Sequence, residues 1–200
     1  FQKIPNNSVS IFYLKVNKKE NWSIVPIENP SETVISVLKV NKVGSAVKFK
    51  TSHPNLSDVN VYSSANNSFY SVYETPQKNY EIAAVRFNKI NKELKIRQFQ
   101  AFVPVKDVMV SFQNASLLLN EETKNKIEMR PRPPKLKGGI PVLYFGGRIK
   151  KESIQNFILQ TSDETVRFIF GKVDEETFVG EVYHPLSPMQ AITIALASFK

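Results

Sequence analysis

Two hundred residues, 42% hydrophobic and 22% charged, suit one soluble globular domain and exclude a disordered, collagen-like or low-complexity chain. No cysteine is present, which removes disulfides, thiolate metal sites and cysteine nucleophiles. Twenty-seven Lys+Arg against 18 Asp+Glu give a formal charge of +9, which either suits a polyanion (nucleic acid, acidic lipid, acidic protein) or reflects only a Lys- and Asn-rich composition.

The chain opens Phe1-Gln2-Lys3-Ile4-Pro5, with neither Met nor a signal-peptide core, and reads as a domain cut from a longer protein. Alternation of apolar and polar residues predicts strands over 10–16, 33–40, 59–62, 68–73, 81–87 and 94–99. More follow over 108–112, 141–145, 156–160, 165–170 and 177–183. Asn66-Asn67, Thr75-Pro76, Gly138-Gly139 and Thr161-Ser162-Asp163 supply turn chemistry between them. Asp174-Glu175-Glu176 reads as a hairpin turn, not as an acid/base pair. Ten or so short strands without interleaved helices predict an antiparallel sandwich or barrel.

Two segments break this pattern. Residues 117–128 are polar and charged and predict a short helix. After them, Arg130-Pro131-Arg132-Pro133-Pro134-Lys135-Leu136-Lys137 is expected to be neither strand nor helix, because proline fixes φ and removes a donor. It reads as an exposed connection or as an extended ligand for a partner protein.

The C-terminus is the clearest helix. Ser187 is the predicted N-cap, Pro188 the first helical residue, and Gln190 completes a capping box. Met189, Ile192, Leu196 and Phe199 share one face, while Ala191, Ile194, Ala195 and Ala197 cover the others. A helix with no polar face is buried on every side. At about 1.5 Å per residue it is too short to cross a bilayer. The inside of a closed barrel would surround it; a sheet face or a dimer interface would cover it in part.

The last third of the chain resembles the C-terminal domain of the tubby-like family. The residues that carry the likeness are Phe145-Gly146-Gly147-Arg148, Ser153-Ile154-Gln155-Asn156-Phe157 and Phe170-Gly171-Lys172-Val173. They continue through Phe178 and Tyr183-His184-Pro185-Leu186 into the run from Gln190 to Phe199. Upstream, Tyr80-Glu81-Ile82-Ala83-Ala84 and Phe12-Tyr13-Leu14-Lys15-Val16 resemble earlier family strands. The likeness implies a mainly β fold: a closed antiparallel barrel of about twelve strands with the hydrophobic C-terminal α-helix through its centre. A single such domain over 1–200 is expected.

The resemblance implies binding of phosphoinositide head groups, chiefly phosphatidylinositol 4,5-bisphosphate, at the inner membrane face. The role would be that of a membrane-targeting adaptor in trafficking or signalling, cytoplasmic and peripheral, with a nuclear alternative. The family's Lys-x-Arg phosphate clamp corresponds to Lys48 and Lys50, with lysine in the arginine position. Strand alternation would put the two on one face about 7 Å apart. A further family arginine corresponds to Asn79, with Lys78 beside it. Arg148 is carried over as a structural strand residue. Two other readings stay open: nucleic-acid binding through the same basic surface, and protein binding by a barrel whose lipid site has decayed, through the Arg130 to Lys137 loop. A closed barrel leaves no sheet edge, so a monomer is expected.

Nothing in the sequence suggests an enzyme. His53 and His184 are the only histidines, one before Pro54 in a turn and one on the approach to the helix. The Gly-Gly pairs lack the Gly-Lys-Ser/Thr that a phosphate loop needs. No catalytic residue, metal or cofactor is assigned.

Overall fold

The computed structural model describes residues 8–17, 21–26, 35–38, 46–49, 59–64, 68–74, 79–88, 98–105, 108–110 and 116–199. The first strands are β1 (Val9–Asn17), β2 (Asn21–Pro26), β3 (Ile35–Leu38), β4 (Ala46–Phe49) and β5 (Val59–Ser64). Next come β6 (Ser68–Glu74), β7 (Asn79–Phe87), β8 (Phe99–Pro104), β9 (Val108–Val110) and β10 (Lys126–Pro131). The last are β11 (Lys135–Lys137), β12 (Ile140–Val142), β13 (Phe157–Gln160), β14 (Val166–Lys172) and β15 (Thr177–Tyr183), followed by helix α1 (Pro188–Ala197).

Thirteen strands form one antiparallel sheet in the order β3-β2-β1-β15-β14-β13-β10-β8-β7-β6-β5-β4, with β9 paired on β7. The first strand thus pairs with the last, Phe12 opposite Gly180. β11 and β12 form a separate hairpin.

Helix α1 is buried on every side, as its sequence requires: Met189 through Ala197 are all buried. The core around it draws residues from β1, β2, β7, β8, β10, β13, β14 and β15. A run of phenylalanine rings lines that core, from Phe69 and Phe87 through Phe99, Phe157 and Phe168 to Phe170, Phe178 and Phe199. Each fully buried side chain of this size contributes roughly 1.5–3 kcal/mol of transfer free energy. The expected capping box is present: Gln190 N donates to Ser187 Oγ at 3.2 Å and Ser187 N to Gln190 Oε1 at 2.9 Å.

The expected mainly β antiparallel fold with a buried C-terminal helix is present, and among the described residues no hydrogen-bonded ladder closes the sheet. Its end strands are β3 and β4, whose Cα traces approach within 8 Å. The short helix expected over 117–128 is also absent. Local bonds hold that segment in turns instead: Thr123 Oγ1 donates to Leu117 O at 2.7 Å, and Glu122 N to Asn120 Oδ1 at 3.0 Å.

The proline-rich run is more regular than expected, because β10 includes Pro131 and β11 begins at Lys135. Arg132 N donates to Ile158 O on β13, so the N–H that Pro131 lacks would face the β8 side. Pairing on that side has already ended at Met129, so proline costs no ladder bond there. The strand expected over 141–145 stops at Val142, and Arg148 lies beyond a turn at Gly146-Gly147, not on a strand. Most of the strand expected over 94–99 lies outside the described residues. β2, β8 and β10 were not anticipated as whole strands.

Candidate functional site

Lys48 is the third residue of β4 and pairs with Asn60 on β5. Asn60 faces Val72 on β6, and Val72 faces Glu81 on β7. Lys48 and Glu81 therefore share one cross-strand row, three strands and roughly 14 Å apart. Phe49, Val59, Tyr73 and Tyr80 form the next row, and Asn79, opposite Glu74, begins the one beyond. Lys48 and Asn79 thus lie toward the same end of the sheet. Lys50 and Lys78 lie outside the described residues, so the Lys48–Lys50 pair is known by one backbone position.

The far end of this row is a built polar clasp. Ala83 and Val85 of β7 join the core around the helix, whereas Ala84 joins Val72, Phe102 and Leu118 in a second cluster. Alternation along a strand makes that second cluster the opposite face of the sheet. The 116–119 segment covers it, and Glu81 holds the segment down. The Glu81 carboxylate accepts from Ser116 Oγ, from Leu117 N at 2.8 Å and from Leu118 N at 3.2 Å. Burial pushes the Glu81 carboxyl above the ordinary glutamate range; those bonds and the Lys126 charge oppose the shift without cancelling it.

Two cations secure the other side of the segment. Lys126 Nζ donates to Leu118 O at 2.9 Å and to Asn120 O at 2.6 Å. Arg86 Nη2 donates to Leu119 O at 2.6 Å. Both lie over the Phe102 ring, at 4.9 Å and 5.9 Å from its centroid. Carbonyl oxygens face the cations and amide hydrogens face the carboxylate, so a turn with no helix of its own keeps its backbone satisfied. The arrangement fixes a surface segment on the face of the sheet whose row continues to Lys48.

The sequence reading missed Glu81, Arg86, Phe102, Ser116 and Lys126. One signal was available: a glutamate directly before the apolar stretch Ile82-Ala83-Ala84-Val85 needs a partner if that strand is buried. Its partners come from 35 and more residues downstream, and no local pattern specifies them.

Arg148 has a structural role, though not as a strand residue. Its Nε lies 2.7 Å from Glu181 Oε1, and Tyr183 OH donates to Glu181 Oε2 at 3.1 Å. Burial first, and then the Glu181 charge, push the Tyr183 phenol up. The His184 carbonyl accepts from Arg167 Nη1 at 2.5 Å; His53 lies outside the described residues. Among the described residues no group of three or more His, Asp or Glu could hold a metal ion. Asp174-Glu175-Glu176 forms the expected β14–β15 turn, with Lys172 Nζ 3.1 Å from Glu175 Oε2.

A family model described as the Tub family matches residues 1–200. Over 96 residues the chain is 32% identical to Tubby-related protein 1 of Homo sapiens, covering 46% of this chain and 17% of that protein. It is 40% identical over 60 residues to Tubby protein homolog 1 of Caenorhabditis elegans, covering 29% and 14% respectively. Protein king tubby of Drosophila yakuba is 33% identical over 95 residues, covering 46% and 18%. The matched stretches span less than a fifth of these relatives' own lengths.

Proposed function

The chain belongs to the Tub family, and on that premise we propose that it binds phosphoinositide head groups and anchors an attached partner at the cytoplasmic face of a membrane. Phosphatidylinositol 4,5-bisphosphate is the head group of this reading. The role is binding, not catalysis. The observation that carries it is the family match over all 200 residues; Lys48 and Lys50 are the clamp positions that the resemblance in sequence implies.

In this reading the ammonium groups of Lys48 and Lys50, two residues apart in sequence, straddle adjacent phosphates of an inositol ring. Lysine does so as a point charge, without the planar fork of arginine, so the pair is less selective in geometry than Lys with Arg. Lys78 and Asn79 stand where the family has a further arginine, and Lys78 supplies the charge there. The formal +9 adds a field that concentrates the domain near anionic lipid. The same reading takes the 200 residues as one domain whose sheet closes into a barrel. The approach of the β3 and β4 traces within 8 Å supports that closure.

Liposome co-sedimentation at physiological salt tests the proposal. Wild type and a Lys48→Ala/Lys50→Ala variant are compared on bisphosphate vesicles and on charge-matched phosphatidylserine vesicles. The expected result is a preference of the wild type for the bisphosphate, lost in a variant whose circular dichroism is unchanged. Equal binding to both vesicles, or to neither, overturns it. Equal binding that falls steeply with salt indicates general attraction to polyanions.

A further inference from the structure

The β11–β12 hairpin stands apart from the sheet and is exposed on both faces. Its register is Lys135 with Val142, Leu136 with Pro141 and Lys137 with Ile140, closed by Gly138-Gly139. Both glycines have positive φ, +58° and +82°, as a two-residue hairpin turn demands. A Cβ at either would meet nothing within 4 Å, so the tip projects into open space.

What this hairpin exposes is unusual for a water-facing element. Leu136 and Ile140 are each 67% exposed, Val142 is 44% exposed, and Tyr144 just beyond is 82% exposed. Leu136 lies on one face; Ile140 and Val142 lie on the other, beside Lys137 and Lys135. Between Glu128 and Glu152 the chain carries Arg130, Arg132, Lys135, Lys137, Arg148, Lys150 and Lys151 and no carboxylate. Among the described residues Arg130, Arg148 and Lys151 have ion-pair partners, whereas Lys135, Lys137 and Lys150 have none.

We propose that the β11–β12 hairpin is a membrane wedge: its tip enters the head-group region of an anionic bilayer, with Leu136, Ile140 and Val142 against acyl chains and Lys135 and Lys137 reaching lipid phosphates. Charge selects the occupant. Lys135, Lys137 and Lys150, the lysines of this stretch without an ion-pair partner among the described residues, complement an anionic surface, and lysine stems lie along apolar neighbours while their ammonium groups stay at the phosphates. Tyr144 suits the interface, where an aromatic ring with a polar tip sits at head-group depth. Three residue pairs make a hairpin roughly 10 Å long, a length that matches interfacial depth and falls short of a span. The inference rests on the lipid reading above and adds a second, non-stereospecific contact to it.

The absence of cysteine makes the test direct. Single variants Leu136→Cys, Ile140→Cys and, on the β13–β14 turn, Ser162→Cys are labelled with an environment-sensitive fluorophore and mixed with vesicles containing the bisphosphate, phosphatidylserine or neutral lipid alone. Blue-shifted emission at 136 and 140 but not at 162, on the anionic vesicles, is expected. Leu136→Ser/Ile140→Ser should weaken partition onto both anionic vesicles about tenfold and leave the head-group preference unchanged. Co-sedimentation without a shift at 136 and 140 overturns the wedge, leaves the lipid reading intact, and returns the hairpin to a protein partner. Failure to co-sediment with the bisphosphate vesicles removes both.

Discussion

The ring of Phe12 on β1 covers the backbone of Gly180, its register partner on β15: a Cβ at position 180 would lie under 3.0 Å from three atoms of that ring. This contact joins the first strand to the last and lies in the core around the helix, where Phe12 is also 6.2 Å from Phe168. Glycine is required there by close approach, not by its backbone angles. Gly180→Ala should therefore cost about 2 kcal/mol through overpacking. Phe12→Leu in the same background should recover part of that loss. Urea unfolding of the two single variants and the double variant measures the coupling, and strict additivity would show that ring and backbone do not meet.

The clasp at Glu81 has a pH signature. Burial raises its carboxyl in the folded state above the ordinary glutamate value of 4.5. Between 4.5 and the folded value the folded chain holds more protons than the unfolded chain, so stability falls as pH rises through that window. Glu81→Gln should remove this slope. It should also cost about 1 kcal/mol, because the amide oxygen keeps the Leu117 and Leu118 N–H bonds while its NH2 takes the Ser116 side, where the bond from the hydroxyl to the carboxylate is lost. Unfolding free energies of both proteins, measured from pH 4 upward, check this; parallel curves would contradict it.

At Arg148 a half-exposed guanidinium neutralises a carboxylate whose side chain is 11% exposed. Arg148→Ala leaves Glu181 with the Tyr183 hydroxyl, and should cost about 1–2 kcal/mol after allowance for the exposure of the arginine. It should also move the Tyr183 phenol further up, since the Arg148 charge is what lowers it. Ultraviolet difference titration against Tyr183→Phe reads that shift, which a purely steric role for Arg148 would not produce.

The helix cap is buried with its helix, and Ser187 is 2% exposed. Ser187→Ala should cost about 1 kcal/mol. Gln190→Ala should cost about as much or more, because the buried Ser187 N–H then lacks its acceptor. Thermal unfolding should show the double variant losing less than the sum, since the two side chains complete one box.

The helix was legible because its signals are local. Ser187, Pro188 and Gln190 lie within four residues, and the lack of any polar face requires burial whatever surrounds it. Asp174-Glu175-Glu176 and Gly138-Gly139 were legible for the same reason: turn chemistry acts over two to four residues. The strands expected over 10–16, 81–87 and 177–183 showed in their alternation, and the run into the helix showed the family. Lys48 was placed by likeness alone, and it is a residue of β4.

What tertiary structure alone decided is set by pairing across the chain. Pro131 is tolerated at the end of a strand because pairing with β8 has already ended at Met129, and the 116–119 segment is a clasp because Glu81, far upstream, lies beneath it. Those outcomes depend on register between distant segments, which composition and periodicity do not encode. By itself the amino-acid sequence determined a β-rich chain built around a wholly apolar helix, because both follow from short-range periodicity and the cost of exposing apolar surface. Which faces meet, which charges are covered and which hairpin is left to the solvent were decided only when the first strand paired with the last.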